Sequence, residues 1–215
     1  MTAITLPELN VRTPLNSSAA VQVARRFALI PDEQLTRTWA PCELRLTPGR
    51  IVAIVGPSGS GKSSRLQQIR TTLDQPPGIH VIGLPDIPES GEPVVDALAT
   101  DLDDALAALT RVGLAEAPLL ARPIGRCSAG EQWRVRLALA QRAAERIESY
   151  TLESHVVLCI DEFTSCLDRG NAMGLALHLN EWCEARNVAC VVATPFEDVL
   201  DPLEPVQVIR MDGLR

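Results

Sequence analysis

Positive charge is in short supply. The chain of 215 residues carries 20 Lys and Arg against 27 Asp and Glu, a formal net charge of −7. An acidic surface argues against a domain whose main task is gripping a phosphate backbone, though it leaves room for a local basic groove. Paired cysteines are missing too. Cys42, Cys127, Cys159, Cys166, Cys183 and Cys190 are scattered with no C-x-x-C, and several sit in apolar runs, so they read as free thiols of a reducing compartment rather than zinc ligands. No apolar run approaches the roughly 20 residues that span a bilayer. The first ten residues lack the basic and apolar regions of a signal peptide. The expectation is a cytoplasmic chain with no transmembrane segment of its own.

What is present suits one compact domain: 46% hydrophobic and 22% charged residues. Residues 1–20 are polar and read as a loose arm, with one domain over 21–215. Strands are predicted over 21–30, 42–46, 51–55, 80–84, 156–160, 188–192 and 206–210. Helices are predicted over 63–73, with basic and Gln residues outward, over 94–112, 130–147 and 171–186. Prolines make 86–93 irregular. Strands alternating with helices imply a parallel sheet covered on both faces.

One turn carries chemistry on its own. Directly after the 51–55 strand stand Gly56, Pro57, Ser58, Gly59, Ser60, Gly61, Lys62, Ser63 and Ser64, a full G-x-x-x-x-G-K-[ST] match between strand and helix. Glycines let successive N–H groups point at a phosphate, and the helix N-terminus adds positive potential. Lys62 supplies a full charge to the outer phosphates, and Ser63 offers a hydroxyl to Mg²⁺. Such a turn specifies a nucleoside triphosphate, and no more.

The narrower reading comes from three later stretches. Ser128, Ala129, Gly130 and Glu131 open a helix, with Ser128 placed as its cap. The apolar run 156–160 ends in Asp161 and Glu162, a Walker B pattern. Phe163-Thr164-Ser165-Cys166-Leu167-Asp168 follows. In this order, over 21–213, the elements resemble the ABC-type ATPase domain, with its L-S-G-G-Q signature and P-T-S-A-L-D loop. The stretches 111–114 and 161–169 look like a soluble prokaryotic subgroup, related to ATPases fused to acetyltransferase-like domains.

The resemblance implies an α/β P-loop NTPase fold: a mostly parallel sheet, an N-terminal antiparallel β part, and a reduced helical subdomain over 85–135 carrying the signature. It implies ATP and Mg²⁺ as cofactors, with Asp161 holding the Mg²⁺ shell and Glu162 polarising the attacking water. It also implies a dimer, homotypic or with a homologous ATPase chain, in which Ser128 to Glu131 and Asp168 meet the nucleotide of the other subunit. Adenine stacking falls to Phe27, with Trp39 second.

Departures from the pattern are specific. Cys127 and Ala129 replace leucine and glycine of the signature, and the methyl of Ala129 crowds the phosphate. Pro195 stands where the family places a switch histidine, and proline has no donor, so slow hydrolysis is expected. No glutamine follows the 80–84 strand; Asp86 is the candidate replacement as a metal or water ligand, or a plain loop acid. The span from Lys62 to Ser128 is short for a transporter ATPase. Arg134, Arg136, Arg142 and Arg146 read as a solvated face paired with acids. Three functions remain in competition: a soluble ATPase moving an unidentified protein or nucleic-acid partner, the ATP-binding subunit of a membrane transporter, and a non-hydrolysing nucleotide-gated switch.

Overall fold

Residues 51–55, 156–160 and 189–193 are apolar runs without alternation. A strand of that kind can leave neither face in water, so it belongs inside a parallel sheet flanked by helices. The computed structural model, which describes residues 2–12, 21–22, 26, 36–87, 91–98, 101–150 and 155–211, has that arrangement. Strands β5 (Ile51–Val55), β6 (Ile79–Gly83), β7 (His155–Ile160), β8 (Ala189–Thr194) and β9 (Gln207–Arg210) form one sheet in the order β6-β7-β8-β5-β9. All four pairings are parallel. Every residue of β5 and β8 is buried.

Register brings three strand ends to one edge. Val55 lies opposite Thr194, and Ile160 opposite Val192. The loops that follow β5, β7 and β8 therefore emerge side by side at the carboxyl end of the sheet, where open α/β sheets take their ligands.

Helices α1 (Lys62–Leu73), α2 (Val94–Leu98), α3 (Leu102–Arg111), α4 (Ala117–Leu120), α5 (Ala129–Tyr150), α6 (Arg169–Arg186) and α7 (Leu200–Leu203) complete this unit. The predicted 94–112 helix is interrupted, because Asp101 starts a new one: its carboxylate accepts from Asp104 N–H. Leu102, the first residue of the new helix, is 59% exposed. On α5, the Glu145 carboxylate ties three helices together. It pairs with Arg111 of α3 at 3.2 Å, Arg142 at 3.6 Å and Arg186 of α6 at 3.4 Å, and accepts from Trp182 Nε1.

The chain divides into two compact units, 3–44 and the remainder. In the first, β2 (Leu9–Arg12) pairs antiparallel with β3 (Thr36–Trp39), and β1 (Thr2–Leu6) pairs with β4 (Cys42–Leu46). The loose arm expected over 1–20 is thus corrected for 2–12, which spends its backbone groups on two ladders. Val21, Gln22 and Arg26 are helical rather than strand. The run of Ala, Gln and Arg around them favours helix and outweighs the local alternation of valines.

Candidate functional site

The first loop at the sheet edge is the glycine-rich turn. Its opening at Gly56 tolerates no side chain: a Cβ there would lie 2.1 Å from Met211 O, because the end of β9 crosses directly beside it. Ser60 N–H donates to Pro57 O at 3.1 Å and closes the turn. Gly61 then caps α1 in the left-handed conformation with no side-chain partner, so the first N–H groups of the helix stay open to an anion.

Lys62, the one lysine in the sequence, folds back along this turn and donates from Nζ to Pro57 O at 2.8 Å. Burial pushes its pKa below the ordinary lysine value, while Asp161 and Glu162 act in the opposite direction. A partly desolvated ammonium held by a single carbonyl is ready to exchange that carbonyl for a phosphate oxygen.

The second loop follows β7. Asp161 is half-buried and its Oδ1 accepts from Glu162 N–H at 2.9 Å, while the Glu162 side chain is exposed. Glu162 and Thr164 both have left-handed backbones, with φ of 50° and 62°. Such values cost non-glycine residues on the order of 1 kcal/mol or more and persist only under external restraint. The restraint comes from β8. Phe163 N–H donates to Ala193 O at 2.9 Å, and Thr194 Oγ1 donates to Phe163 O at 3.1 Å. Phe163 is fully buried and meets Trp133 of α5 edge-on, with ring centroids 5.7 Å apart.

These pieces enclose a cleft of about 240 Å³ lined by Ser63, Asp161 and Glu162, with Gln67 and Arg70 of α1 and Arg136 of α5. Sequence reasoning selected the first three. It sent the glutamines and arginines of α1 outward, which is corrected for the buried Arg65; Gln67 and Arg70 are exposed and line the cleft. The signal was available as helical spacing, since Ser63, Leu66, Gln67 and Arg70 stand at i, i+3, i+4 and i+7.

Asp86 is turned elsewhere. Its carboxylate is exposed and lies 3.9 Å from Arg136, and the residue of that loop which lines the cleft is Leu84. Arg136 also donates to Pro85 O at 2.6 Å, fastening the loop through its carbonyls. The arginines of α5 differ from one another: Arg142 pairs with acids, as expected, but Arg134 donates to Gly113 O at 2.8 Å.

Ser128 and Glu131 form a reciprocal cap at the start of α5. Glu131 N–H donates to Ser128 Oγ at 3.3 Å, and Ser128 N–H donates to Glu131 Oε2 at 2.6 Å. The Ser128 hydroxyl thus accepts within the helix and stands beside the Glu131 carboxylate, which it helps to hold below its ordinary pKa. Ser128 and Ala129 are exposed, and Gly130 packs against Cys166 and Leu167. Asp168 caps α6 by accepting from Asn171 N–H at 3.0 Å, and this bond holds its carboxyl below the usual range. Pro195 is half-buried where β8 ends. Phe27 lies outside the described residues, and Trp39 belongs to β3 of the first unit.

Two oxygen donors, Ser63 and Asp161, share the cleft, while no group of three or more His, Cys, Asp or Glu among the described residues is placed to hold a metal. That set fits Mg²⁺, which takes few protein ligands and fills its octahedron with phosphate and water. No described helix is long and apolar enough to cross a membrane.

No family model matches the chain. A stretch of 62 residues, 28% of this chain and 21% of the relative, is 48% identical to the lipoprotein-releasing system ATP-binding protein LolD of Maricaulis maris (strain MCS10). The protein of the same name from Bordetella avium (strain 197N) is 45% identical over 80 residues, 36% of this chain and 29% of its own. The chain therefore spans less than a third of the length of the curated relatives it matches. Among solved structures, the dimeric post-hydrolysis state of the ATP-binding cassette MJ0796, bound to ADP and Pi, superposes with a TM-score of 0.59. It is 19% identical, over 84% of this chain and 90% of that one, a likeness of fold.

Proposed function

The chain has the fold and the motif set of an ABC-type nucleotide-binding domain, and from that premise we propose that it binds ATP and hydrolyses it in a dimer. The observation that carries this reading is the shared cleft of Ser63, Asp161 and Glu162 at the mouth of the glycine-rich turn. Lys62 and the open N–H groups of α1 hold the triphosphate; Ser63 and Asp161 hold Mg²⁺, which neutralises charge on the outer phosphates. Glu162, on its strained backbone, orients and polarises the attacking water. Ser128 and Gly130 present the start of their helix to the triphosphate bound by a second copy. The ADP-bound and dimeric state of the similar cassette supports this pairing.

The test is size-exclusion chromatography of Glu162→Gln with and without Mg·ATP. Trapped nucleotide converts monomer to dimer, and Lys62→Ala abolishes the conversion. A monomer under every condition, with wild-type ATP affinity retained in Lys62→Ala, overturns the reading.

For the work done by the dimer, the short Lys62–Ser128 span and the lack of a glutamine after β6 support a machine acting on a protein or nucleic-acid partner. The likeness to LolD favours a second reading, an ATP-binding subunit serving membrane components on other chains. Recovery of a polytopic membrane protein with the chain, at fixed stoichiometry, decides for the second.

A further inference from the structure

We propose that Gln67, on the nucleotide-binding helix itself, supplies the amide that holds metal-bound water in the catalytic cleft. The inference rests on the reading above and adds a residue to that site. Gln67 stands one turn after Ser63 on the same face of α1, about 6 Å further along the axis. Helical side chains lean toward the N-terminus, so a residue at i+4 covers the turn occupied by residue i. The Gln67 amide therefore leans back toward the Ser63 hydroxyl, and both line the cleft with Asp161 and Glu162.

Among the described residues it is the only amide in that lining, and its side chain enters no hydrogen bond; its main-chain oxygen accepts from the Thr71 hydroxyl. An amide both donates and accepts, which suits a water that must give a proton toward Glu162 while its oxygen faces a metal or phosphate. The loop after β6 does not deliver such a group. Arg136 fastens that loop by the carbonyls of Leu84 and Pro85, Asp86 points to Arg136, and Leu84 presents only an apolar side chain to the cleft. Arg70, two turns beyond Ser63, also lines the cleft, and its guanidinium lies against Gly83.

The experiment compares wild type, Gln67→Ala and Gln67→Glu. Binding of a non-hydrolysable ATP analogue is measured without metal, then Mn²⁺ affinity of each nucleotide complex by electron paramagnetic resonance, then turnover with Mg·ATP. Gln67 is exposed, so neither substitution strains the core. The expected result is unchanged metal-free nucleotide affinity in Gln67→Ala, with Mn²⁺ affinity and turnover both reduced about tenfold, the usual cost of losing an outer-shell partner. Gln67→Glu keeps an acceptor oxygen and holds Mn²⁺ while turnover falls. Mn²⁺ affinity and turnover of Gln67→Ala within about twofold of wild type, below the range for outer-shell groups, overturn the assignment of Gln67 alone. If the wild-type chain fails to bind the analogue, the ATPase reading falls first.

Discussion

A methyl group placed on Gly130 would lie 2.9 Å from the main-chain oxygen of Cys166 and 3.2 Å from Leu167 Cδ2. The helix that opens at Ser128 thus rests by its glycine on the turn that leads from Asp161 and Glu162 to Asp168. Glycine serves contact here rather than conformational freedom.

Gly130→Ala separates these surfaces. Alanine is a better helix former by about 1 kcal/mol, but forcing a methyl against fixed backbone costs about 1–3 kcal/mol, and the second effect prevails because a carbonyl cannot rotate away. Thermal unfolding is expected to fall by a few degrees, at roughly 2–4 °C per kcal/mol for a chain of this size. ATP-dependent dimerisation weakens with it. An unchanged or raised midpoint contradicts the close contact.

The reciprocal cap gives a pH signature. The Ser128 N–H, and secondarily the Ser128 hydroxyl and Arg122, hold the Glu131 carboxyl below its ordinary value of 4.5. A depressed folded-state pKa contributes stability that is present above 4.5 and is lost as pH falls through the depressed value. Glu131→Gln is therefore less stable than wild type at neutral pH, and the gap closes in acid. Ser128→Ala loses about 1 kcal/mol, the usual worth of an N-cap, with a weaker dependence on pH. Denaturant midpoints measured from neutral pH into acid check both, and a gap that widens in acid rejects the cap as the cause.

Pro195 sets the expected rate. A ring without an N–H cannot donate to a phosphate oxygen at the end of β8, so wild-type turnover is expected to be slow. Pro195→His is expected to raise turnover by up to about a hundredfold, the lower range for a placed proton-transfer group, with ATP affinity little changed. Single-turnover phosphate release separates chemistry from product loss. No change in rate means that this position does not face the nucleotide.

The central sheet and the phosphate turn were legible in the sequence because each is coded locally. Runs such as Val156 to Ile160 can only be doubly covered strands, and a Gly-x-x-x-x-Gly-Lys-Ser turn needs nothing beyond its two flanks. What escaped was coded by distant partners. Thr2 to Leu6 looks like an arm until it pairs with Cys42 to Leu46, since a short edge strand has no pattern strong enough to announce itself. Arg65 and Arg136 carry charges that composition assigns to solvent, yet one is buried beside Gln68 and the other fastens a loop by its carbonyls. The break at Asp101 was hidden because Leu98, Leu102, Leu106 and Leu109 run straight across it at helical spacing.

The hydrogen bonds from Phe163 to Ala193, and from Thr194 back to Phe163, tie the turn that carries Glu162 to a neighbouring strand as well as to its own. Whatever shifts the tip of β8 must tilt Glu162 as well.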